Sequence, residues 1–480
     1  MLDRLRSLVF GRARPKARAK YDAAQTDELN RRHWANADAL AAVSSLTPGV
    51  RRTLRIRSRY EVQNNCYAAG LVSTLVSDTV GTGPRLQVLT DSDATNTLIE
   101  TRWRQWAETI NLPLKLSILD RARRVDGEGF AIVHTNERLR GKSPVLLDLK
   151  LIEADQVAEP WGQSSIRDDG DDGIRVSPEG EPVAYSVLRR HPGDIRTAAG
   201  SWESDWVPAD SVIHWLRIDR PGQLRGVPEL TPALPLFAVL RRFSLATLTA
   251  AETAANIAGF LETSQPVGEP SQLVPMDTVE FVRGMLLTLP EGWKMSQLEA
   301  KHPTTQFQSF VDAILREIGR CLDVPFGIMA GDSSRYNYSS ARLDHQTYEL
   351  RREVERQQFA MVVLTRLFRM WLAEAMLVGG QYIPLNLGPT NELTHSWHFD
   401  YRGSIDPRKD AMTDRDRLAT LTTSLAEIYA AKGMDWQTAI KQIARERQEL
   451  RRYGLTIADT AEMPPDEPEQ VEVGYATATT

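Results

Sequence analysis

Residues 338–377 read YSSARLDHQTYELRREVERQQFAMVVLTRLFRMWLAEAML. One set of residues recurs along this stretch every four and three positions, which is the spacing of one face of an α-helix. No proline interrupts the pattern before Gly379-Gly380. At a rise of about 1.5 Å per residue the helix would be roughly 55–60 Å long, so we predict that it crosses the molecule. The recurring residues are Leu343, Thr347, Leu350, Val354, Gln357, Met361, Leu364, Phe368, Trp371 and Ala375.

Two further helical patterns lie upstream of this helix. One begins at Thr231-Pro232, which predicts a cap and a first turn, and the other runs from about Thr305 to Leu322. Prolines and Gly292 interrupt residues 261–301 between them, so we predict a small subdomain inserted between two helices. Small side chains on the first helix would let neighbouring backbones approach closely. They are Ala246, Ala250, Ala251, Ala254, Ala255 and Ala258.

The first half of the chain changes from a helical to a strand pattern near Val125. Helical spacing begins at Gln25, with a break at VGTGP (residues 80–84). Beyond Val125, alternating residues predict antiparallel strands, and the turn DDGDDGIRVSPEG (residues 168–180) favours hairpins over crossover helices. We therefore predict an α+β fold. The alternating residues are Phe130, Ile132, His134, Val145, Leu147, Leu149, Leu151, Val183, Tyr185, Val187, Val212, His214, Leu216 and Ile218.

Bulk composition indicates a folded protein of several parts. At roughly 100–200 residues per domain, the 480 residues correspond to two to four domains. Cys66 and Cys321 are too few for a disulfide framework or a four-thiolate zinc site, so we expect a reducing compartment. The most apolar run, ALPLFAVL (residues 233–240), ends at Arg241-Arg242 and falls short of the ~20 residues of a membrane helix. No membrane partner is therefore expected.

The net charge of −5 is unevenly distributed along the chain. Residues 1–20 carry seven Lys or Arg and one acid, whereas residues 456–480 carry six acids and no base. This asymmetry predicts a solvated basic tail at one end and a solvated acidic tail at the other. Contact of the basic arm with nucleic acid or with a shell protein is the alternative.

Motifs for catalysis or for a cofactor are incomplete. GKS at residues 141–143 ends like a phosphate-binding loop, but Asn136 stands where its first glycine is required. Residues 168–179 have the spacing of a calcium loop with glycine at one ligand position, which favours a solvated hairpin. His395 and His398 lack a third ligand at a recognisable spacing, which favours packing. We predict no catalytic residues, no metal and no cofactor, although the scattered carboxylates of a nuclease would leave no pattern.

Several separate motifs together resemble the lambda-type family of tailed-bacteriophage portal proteins. RSRYEVQNNCYAAGLVSTLVSDTVGTGPRLQ (residues 57–87) is similar to the N-terminal signature of that family, which has an Arg-rich helix, an Asn pair and a Val-Gly-x-Gly turn. RPGQLRGVP (residues 220–228) and YSSAR (residues 338–342) match two more motifs of the family. IDPRKDAMTDRDRLATL (residues 405–421) and GMDWQTAIKQIARER (residues 433–447) are similar to the closing helices of the family. The resemblance covers residues 21–454. The Asp- or Asn-rich segment that the family has in the first motif is shortened here to Gln63-Asn64-Asn65. The contacts that single residues make in the family therefore carry over to this chain less directly.

The resemblance implies the layout of a portal subunit. Such subunits have an α+β wing, a helical stem into which a small clip is inserted, a loop directed into a central channel, a long helix above it and a helical crown. The implied division is a basic tail (1–20), the wing (21–228), the first stem helix (229–258), the clip (259–302), the second stem helix (303–328), the channel loop (329–338), the long helix and wing return (339–405), the crown (406–455) and an acidic tail (456–480).

The resemblance also implies a function and a set of partners. Identical subunits would form a ring, in this family usually a dodecamer, at one vertex of the capsid. Double-stranded DNA would pass through it during packaging and ejection. The terminase large subunit, a head–tail connector or adaptor, the major capsid protein and the scaffold would contact it, first in the host cytoplasm and then in the virion. The alternatives are a DNA-packaging ATPase or nuclease, which needs a nucleotide or metal site, and a purely structural capsid or adaptor protein.

Two sets of residues are candidates for these contacts. The loop before the long helix is polar and rich in turn formers, so it cannot anchor a core, and the resemblance places it in the DNA channel. Because each phosphate that Lys or Arg neutralises strengthens binding, an acidic chain suits a channel that does not grip DNA. Exposed charges in the clip are candidates for the terminase and connector. The channel residues are Asp332, Ser333, Ser334, Arg335, Tyr336 and Asn337, and the clip residues are Glu291, Lys294 and Glu299.

Overall fold

The structure is a computed structural model with a mixed helix and sheet fold. Helices hold most of the described residues, and every strand pair described is antiparallel. The predicted combination of helices with antiparallel strands is therefore confirmed. The described residues are 28, 31–159, 166–167, 170–194, 203–256, 260–263, 293–296, 304–334, 338–379, 382–383, 393–400 and 407–455.

Helices dominate the described chain before residue 127. They are α1 (Ala42–Ser45), α2 (Pro48–Asn64), α3 (Cys66–Thr79), α4 (Asp93–Thr109) and α5 (Leu112–Asp126). Asn65 separates α2 from α3, because its side-chain oxygen accepts hydrogen bonds from the backbone N–H groups of Tyr67 and Ala68 and caps α3. The predicted break at residues 80–84 is confirmed. Gly81 has a left-handed φ of +56°, and a β-carbon there would lie 2.4 Å from the Asp400 carboxylate.

The strands form small sheets beside these helices. They are β1 (Arg85–Val88), β2 (Glu128–Thr135), β3 (Leu147–Ile152), β4 (Ile166–Arg167), β5 (Gly170–Asp171), β6 (Ile174–Val176), β7 (Pro182–Leu188), β8 (Ser204–Pro208), β9 (Val212–Leu216), β10 (Phe260–Thr263), β11 (Trp293–Ser296) and β12 (His395–His398). In one sheet β2 is central, so that Phe130 lies opposite Ile152 of β3 and His214 of β9. Strands β4 to β8 form a second sheet in chain order, which confirms the predicted hairpins. The pairing of β1 with β12 was not predicted.

The remaining helices include the long one predicted from its periodicity. They are α6 (Leu234–Asn256), α7 (Thr304–Cys321), α8 (Phe326–Ala330), α9 (Tyr338–Phe359), α10 (Arg366–Leu377), α11 (Pro407–Ala419), α12 (Leu425–Ala431) and α13 (Trp436–Arg452). A π-helical turn, Ala360–Thr365, joins α9 to α10, so the long helix is continuous from Tyr338 to Leu377. Sequence spacing did not predict the π turn. The predicted first turn at Thr231-Pro232 is present as a 3₁₀ turn that leads into α6, but the predicted cap is wrong, because the Thr231 hydroxyl donates to the Pro228 carbonyl.

The main core fixes the second half of the long helix. Trp371 of α10 packs with its ring centroid 5.3 Å from Trp103 and 6.2 Å from Trp106 of α4. Phe368 lies 5.6 Å from Trp103 in an edge-to-face arrangement, which aromatic rings prefer. A second core contains buried residues of α3, α6, α7 and α8. In it α7 packs on α6 and α8, and its buried residues include Leu315 and follow the predicted face.

The C-terminal helices have one more break than predicted. The expected interruption at Lys432-Gly433 is confirmed, and Gly433 has a left-handed φ of +69°. A second break precedes α12, where Leu421 has a φ of +57°. Ser424 and Glu427 form a capping box that starts the new helix, and this Ser-x-x-Glu spacing was a signal available in the sequence.

One helix in the described part of the chain, Thr231–Thr253, is long and apolar enough by length and composition to cross a membrane. Core helices of soluble proteins meet the same criterion. Arg241 in its middle forms a 2.6 Å ion pair with Glu61 of α2, and Phe237 of the same helix is fully buried against the protein. These contacts are those of a helix packed on its own subunit.

Candidate functional site: a charged junction behind the predicted channel loop

Arg225 and Glu128 form a buried ion pair where β2 begins. Arg225 donates hydrogen bonds to the Glu128 carboxylate from Nε at 3.0 Å and from Nη2 at 2.6 Å, and Nη1 donates to the Val157 carbonyl at 2.9 Å. Both side chains are inaccessible to solvent. Burial alone raises the pKa of Glu128, but the attraction of Arg225 and a hydrogen bond with His214 hold that pKa well below its usual range. The arginine of the RGVP motif thus links β2 to the loop that follows β3.

Two glycines allow the motif to pass close to β2. A β-carbon on Gly226 would lie 2.0 Å from the Gly127 carbonyl oxygen, and one on Gly127 would lie 2.5 Å from the Val227 carbonyl carbon. Gly127 also has a left-handed φ of +91°. The Gly226 N–H donates to Glu128 at 3.0 Å. Arginine therefore supplies the ion pair of this motif, and glycine supplies the close approach.

Glu229, just after the motif, is the centre of a second buried cluster of charges. Its carboxylate accepts hydrogen bonds of 2.8 Å from Arg124 of α5 and of 2.8 Å from Arg351 of α9. Arg124 also donates to Asp120 at 2.9 Å and lies 3.0 Å from Glu355 of α9. We call these five residues the Glu229 cluster. It ties the long helix to α5 and to the segment that leads into α6.

The electrostatics of the cluster depend on its carboxylates. Burial alone raises the pKa of Glu229, but the guanidinium groups of Arg124, Arg123 and Arg351 outweigh it and lower the pKa to about 2. For Arg351, burial lowers the pKa and the attraction of Glu229 opposes that shift. The charges are therefore stable only in the presence of one another.

The predicted channel loop begins where α8 ends. Gly331 closes α8 with a left-handed φ of +67°, and the Asp332 N–H donates to the Gly327 carbonyl at 3.2 Å. The Asp332 carboxylate accepts a hydrogen bond from the backbone N–H of Ser334 at 2.9 Å. Ser333 and Ser334 are exposed and Asp332 is half-buried. The other predicted channel residues lie outside the described residues; they are Arg335, Tyr336 and Asn337. Contact of this loop with DNA stays a prediction.

Both helices that flank this loop are anchored in the subunit. On one side α8 packs against α7, where a β-carbon on Gly319 would lie 2.6 Å from the Val324 carbonyl. On the other side the buried hydroxyl of Tyr348 in α9 donates a hydrogen bond to Asp78 of α3. One turn further along, Arg351 enters the Glu229 cluster. The loop therefore begins at a helix that is packed on α7, and α9 is held by buried contacts from Tyr348 onward, ten residues after its first residue.

One of the three clip candidates lies within the described residues. Lys294 is exposed on β11, opposite Glu262 of β10. This strand pair falls between α6 and α7 along the chain. Glu291 and Glu299 lie outside the described residues. The partner of this segment stays a prediction.

Sequence reasoning missed one group of possible metal ligands. Ligand atoms of Glu153, Asp155 and His191 lie within 4.8 Å of one another. The Arg59 guanidinium already contacts two of them, at 3.2 Å from Glu153 and 2.8 Å from Asp155. Hydrogen bonding to Asp126 raises the pKa of Arg59 despite burial, so it stays charged. We therefore interpret this group as an ion-pair network.

The histidines in β12 have ordinary packing partners. His395 accepts or donates a 3.2 Å hydrogen bond with the Thr365 hydroxyl, and its ring lies 5.0 Å from that of Phe368. His398 lies 2.7 Å from the Gln87 side chain of β1. These contacts support the packing interpretation over a metal pair.

Comparison with known protein families places the chain in one class of proteins, the phage portals. Residues 30–358 match the family model described as "Phage portal protein, lambda family". The match spans more than half of the 480 residues and includes the Glu229 cluster. The chain therefore belongs to the lambda family of phage portal proteins.

Individual relatives are more distant. A probable portal protein of Halomonas phage phiHAP-1 is 27% identical over 298 residues, which cover 59% of this chain and 56% of that relative. The chain thus spans about half the length of this curated relative. A chain from the virion of a native gene transfer agent particle aligns with a TM-score of 0.46 and 16% identity, over 82% of this chain and 97% of its own. A chain from the neck of a native particle, computed with C12 symmetry, aligns with a TM-score of 0.42 and 15% identity, over 81% and 94%.

Proposed function

We propose that identical copies of this chain form a ring at one capsid vertex and that double-stranded DNA enters and leaves the capsid through it. Membership of the portal family supports the proposal. The observation that carries it is the exposed polar loop at Gly331–Ser334, which joins two helices that are each anchored by buried contacts. In a ring, such anchoring would place the loop of every subunit at one radius.

The described loop residues suit a surface that DNA slides past. By sequence, the loop from Gly331 to Asn337 has one acid, Asp332, one base, Arg335, and otherwise uncharged residues, so its net charge is zero. Each basic contact to a phosphate would release counterions and strengthen binding, and many such contacts would slow translocation. A polar loop with little positive charge can stay close to the duplex without holding it.

The other parts of the chain receive roles under the same proposal. The sheets around β2 with α2 to α5 form the wing, α6 and α7 form the stem, and α11 to α13 form the crown. The β10–β11 segment is the clip and meets the terminase large subunit and the head–tail connector. The ring assembles in the host cytoplasm with the major capsid protein and scaffold, remains in the virion, and has no catalytic step of its own.

Shortening the loop between Asp332 and Asn337 tests the proposed channel. We expect normal rings and particles but reduced packaging or retention of DNA, measured as nuclease-protected genome length per particle. Shortening the exposed hairpin turn at residues 178–180, between β6 and β7, is the matched control. Full-length genomes packaged and retained normally by the channel-loop variant would contradict the channel assignment.

The ring and the absence of catalysis can be tested on the purified chain. Native mass spectrometry should show one symmetric ring, and negative-stain images should show an axial opening. A monomer at all micromolar concentrations would count against the portal function. Hydrolysis of ATP by the chain alone would favour a packaging enzyme instead.

Charge reversal tests the clip. Glu291→Lys, Lys294→Glu and Glu299→Lys together should weaken terminase binding and leave ring assembly intact, since Lys294 is exposed away from the described cores. Binding can be measured by co-sedimentation of rings with the terminase large subunit. Arg415→Glu on the exposed face of α11 is the control. Loss of rings with terminase binding unchanged would assign this segment to another role.

A further inference from the structure

The first half of the long helix exposes an apolar face. Leu343 is 65% exposed, Leu350 69%, Val354 51% and Met361 72%. These residues belong to the same four-and-three spacing whose continuation, from Leu364 onward, fills the main core. We call them the α9 face. A single apolar side chain at the surface is ordinary, but four on one helical face mark a contact surface.

The α9 face carries negative charge along one edge. Glu349 and Glu353 are exposed beside Leu350 and Val354, on the side of the helix away from the Glu229 cluster. Among the described residues neither forms an ion pair, although Glu353 accepts a hydrogen bond from Gln357 at 2.9 Å and attracts the charge of Arg356 on the same helix. Contact with a basic group would therefore stabilise both.

A second uncovered face lies on α6. Its outward positions carry mostly small or apolar side chains, together with Thr249, one acid, Glu252, and one cation, Arg242, which has no ion-pair partner among the described residues. Leu245 is 58% exposed and Leu248 55%. We call this the α6 face; its residues are Ala238, Val239, Arg242, Leu245, Ala246 and Leu248. Because α6 packs on α2 and α7 while α9 packs on α3, the two faces are separate surfaces.

We propose that the α9 face of one subunit docks on the α6 face of the next, with Arg242 of one copy against Glu349 and Glu353 of the other. This rests on the proposed ring and names the surfaces that close it. A ring of identical subunits needs two different complementary patches on each subunit. The two faces supply them, since both are largely apolar and the small side chains of α6 admit the larger ones of α9. Arg242 on the α6 face is opposite in sign to Glu349 and Glu353 on the α9 face, and Glu252 lies ten residues further along α6.

Charge exchange tests the contact directly. In a ring of the Arg242→Glu variant, an acid at position 242 would oppose Glu349 and Glu353 at every contact. In a ring of the Glu349→Lys/Glu353→Lys variant, two lysines would oppose Arg242 at every contact. Since like charges then oppose each other at every contact, each variant alone should need a concentration at least about tenfold higher than the wild type for half-assembly. An equimolar mixture should recover rings near the wild-type concentration, because alternating subunits restore opposite charges at every contact. The chain carrying all three changes should recover them too.

The apolar part of the contact has its own variant and control. Leu350→Asp with Val354→Asp should abolish rings and leave the thermal midpoint of the monomer unchanged, because both side chains are exposed. Leu114→Asp on the exposed face of α5, 53% exposed, is the matched control and should assemble normally. Mass photometry measures the ring fraction in every case.

The outcomes separate this proposal from the ring itself. If the wild-type chain stays monomeric, both the proposed ring and this contact are wrong. If the wild type and both charge variants all form normal rings, the proposed contact is wrong and the proposed ring is not. The two apolar faces would then bind another component of the particle. Variants that fail alone and also fail when mixed, although each is folded by circular dichroism, would overturn the pairing of the two faces.

Discussion

Replacing Glu229 by glutamine would remove the negative charge shared by α5 and α9 while keeping the size of the side chain. Arg124 and Arg351 both donate to this carboxylate at 2.8 Å. Breaking a buried ion pair by neutralising one partner costs about 3–5 kcal/mol. A pKa lowered from 4.5 to about 2 corresponds to roughly 3 kcal/mol of stability at neutral pH. Because Arg124 would still donate to Asp120, we expect the variant to lose stability near the lower end of that range, about 3 kcal/mol.

Local opening of α9 is the quantity to measure, because a chain of several parts does not unfold in one step. Hydrogen exchange of the backbone amides from Arg351 to Phe359 reports it. A loss of about 3 kcal/mol would accelerate their exchange by roughly a hundredfold. Glu108→Gln, on an exposed position of α4, is the matched control and should leave exchange unchanged.

The pH dependence gives the same effect a second signature. Because the folded-state pKa of Glu229 is depressed, its contribution is complete above the usual carboxyl pKa of 4.5 and is lost as the pH falls towards about 2. The glutamine variant has no such charge to lose, so its opening free energy and that of the wild type should converge over this window. Equal exchange in α9 of both proteins at pH 7, or a difference that persists undiminished to the acid end, would refute the role of the cluster.

Two further predictions concern the RGVP motif. Gly226→Ala should lower the thermal midpoint and soluble yield strongly, at a cost of about 3 kcal/mol or more, because its β-carbon meets the Gly127 carbonyl; Gly49→Ala, where nothing lies within 4 Å, should fold as the wild type does, and equal midpoints would contradict the packing argument. Arg225→Lys should cost roughly 2–3 kcal/mol by the same measurement, because lysine keeps the charge but cannot donate both to Glu128 and to the carbonyls around it. A lysine variant as stable as the wild type would show that charge alone suffices there.

The long helix shows what the sequence could and could not predict. Its spacing correctly placed Leu364, Phe368 and Trp371 on one buried face. The same spacing put Leu343 and Leu350 on that face, and they are exposed. Periodicity identifies residues that share a face, but it does not identify what covers the face. The π turn between the halves was also beyond prediction, because no residue type signals it.

The charged junction was not predictable for a different reason. Arg225 is recognisable in the sequence only as part of a motif, and its partner Glu128 lies at the start of a strand 97 residues earlier in the chain. Pairings between distant segments leave no local spacing. One signal was present, since an acid between Gly127 and Gly129 at the head of an apolar strand is unusual and implies a buried partner. The polar loop from Asp332, by contrast, was predictable because turn residues act locally.

Opposite faces of α9 have different surroundings within the same turns of the helix. Arg351 and Glu355 lie in the Glu229 cluster, while Leu350 and Val354 are exposed on the face that we propose contacts the next subunit. A shift of the neighbouring subunit would push on the outer side of a helix whose inner side is held by buried charges. Separating those charges costs about 3–5 kcal/mol, so α9 would carry α5 with it rather than slide over it. The proposed contact between subunits would therefore move α9, from Tyr348 onward, only together with α5.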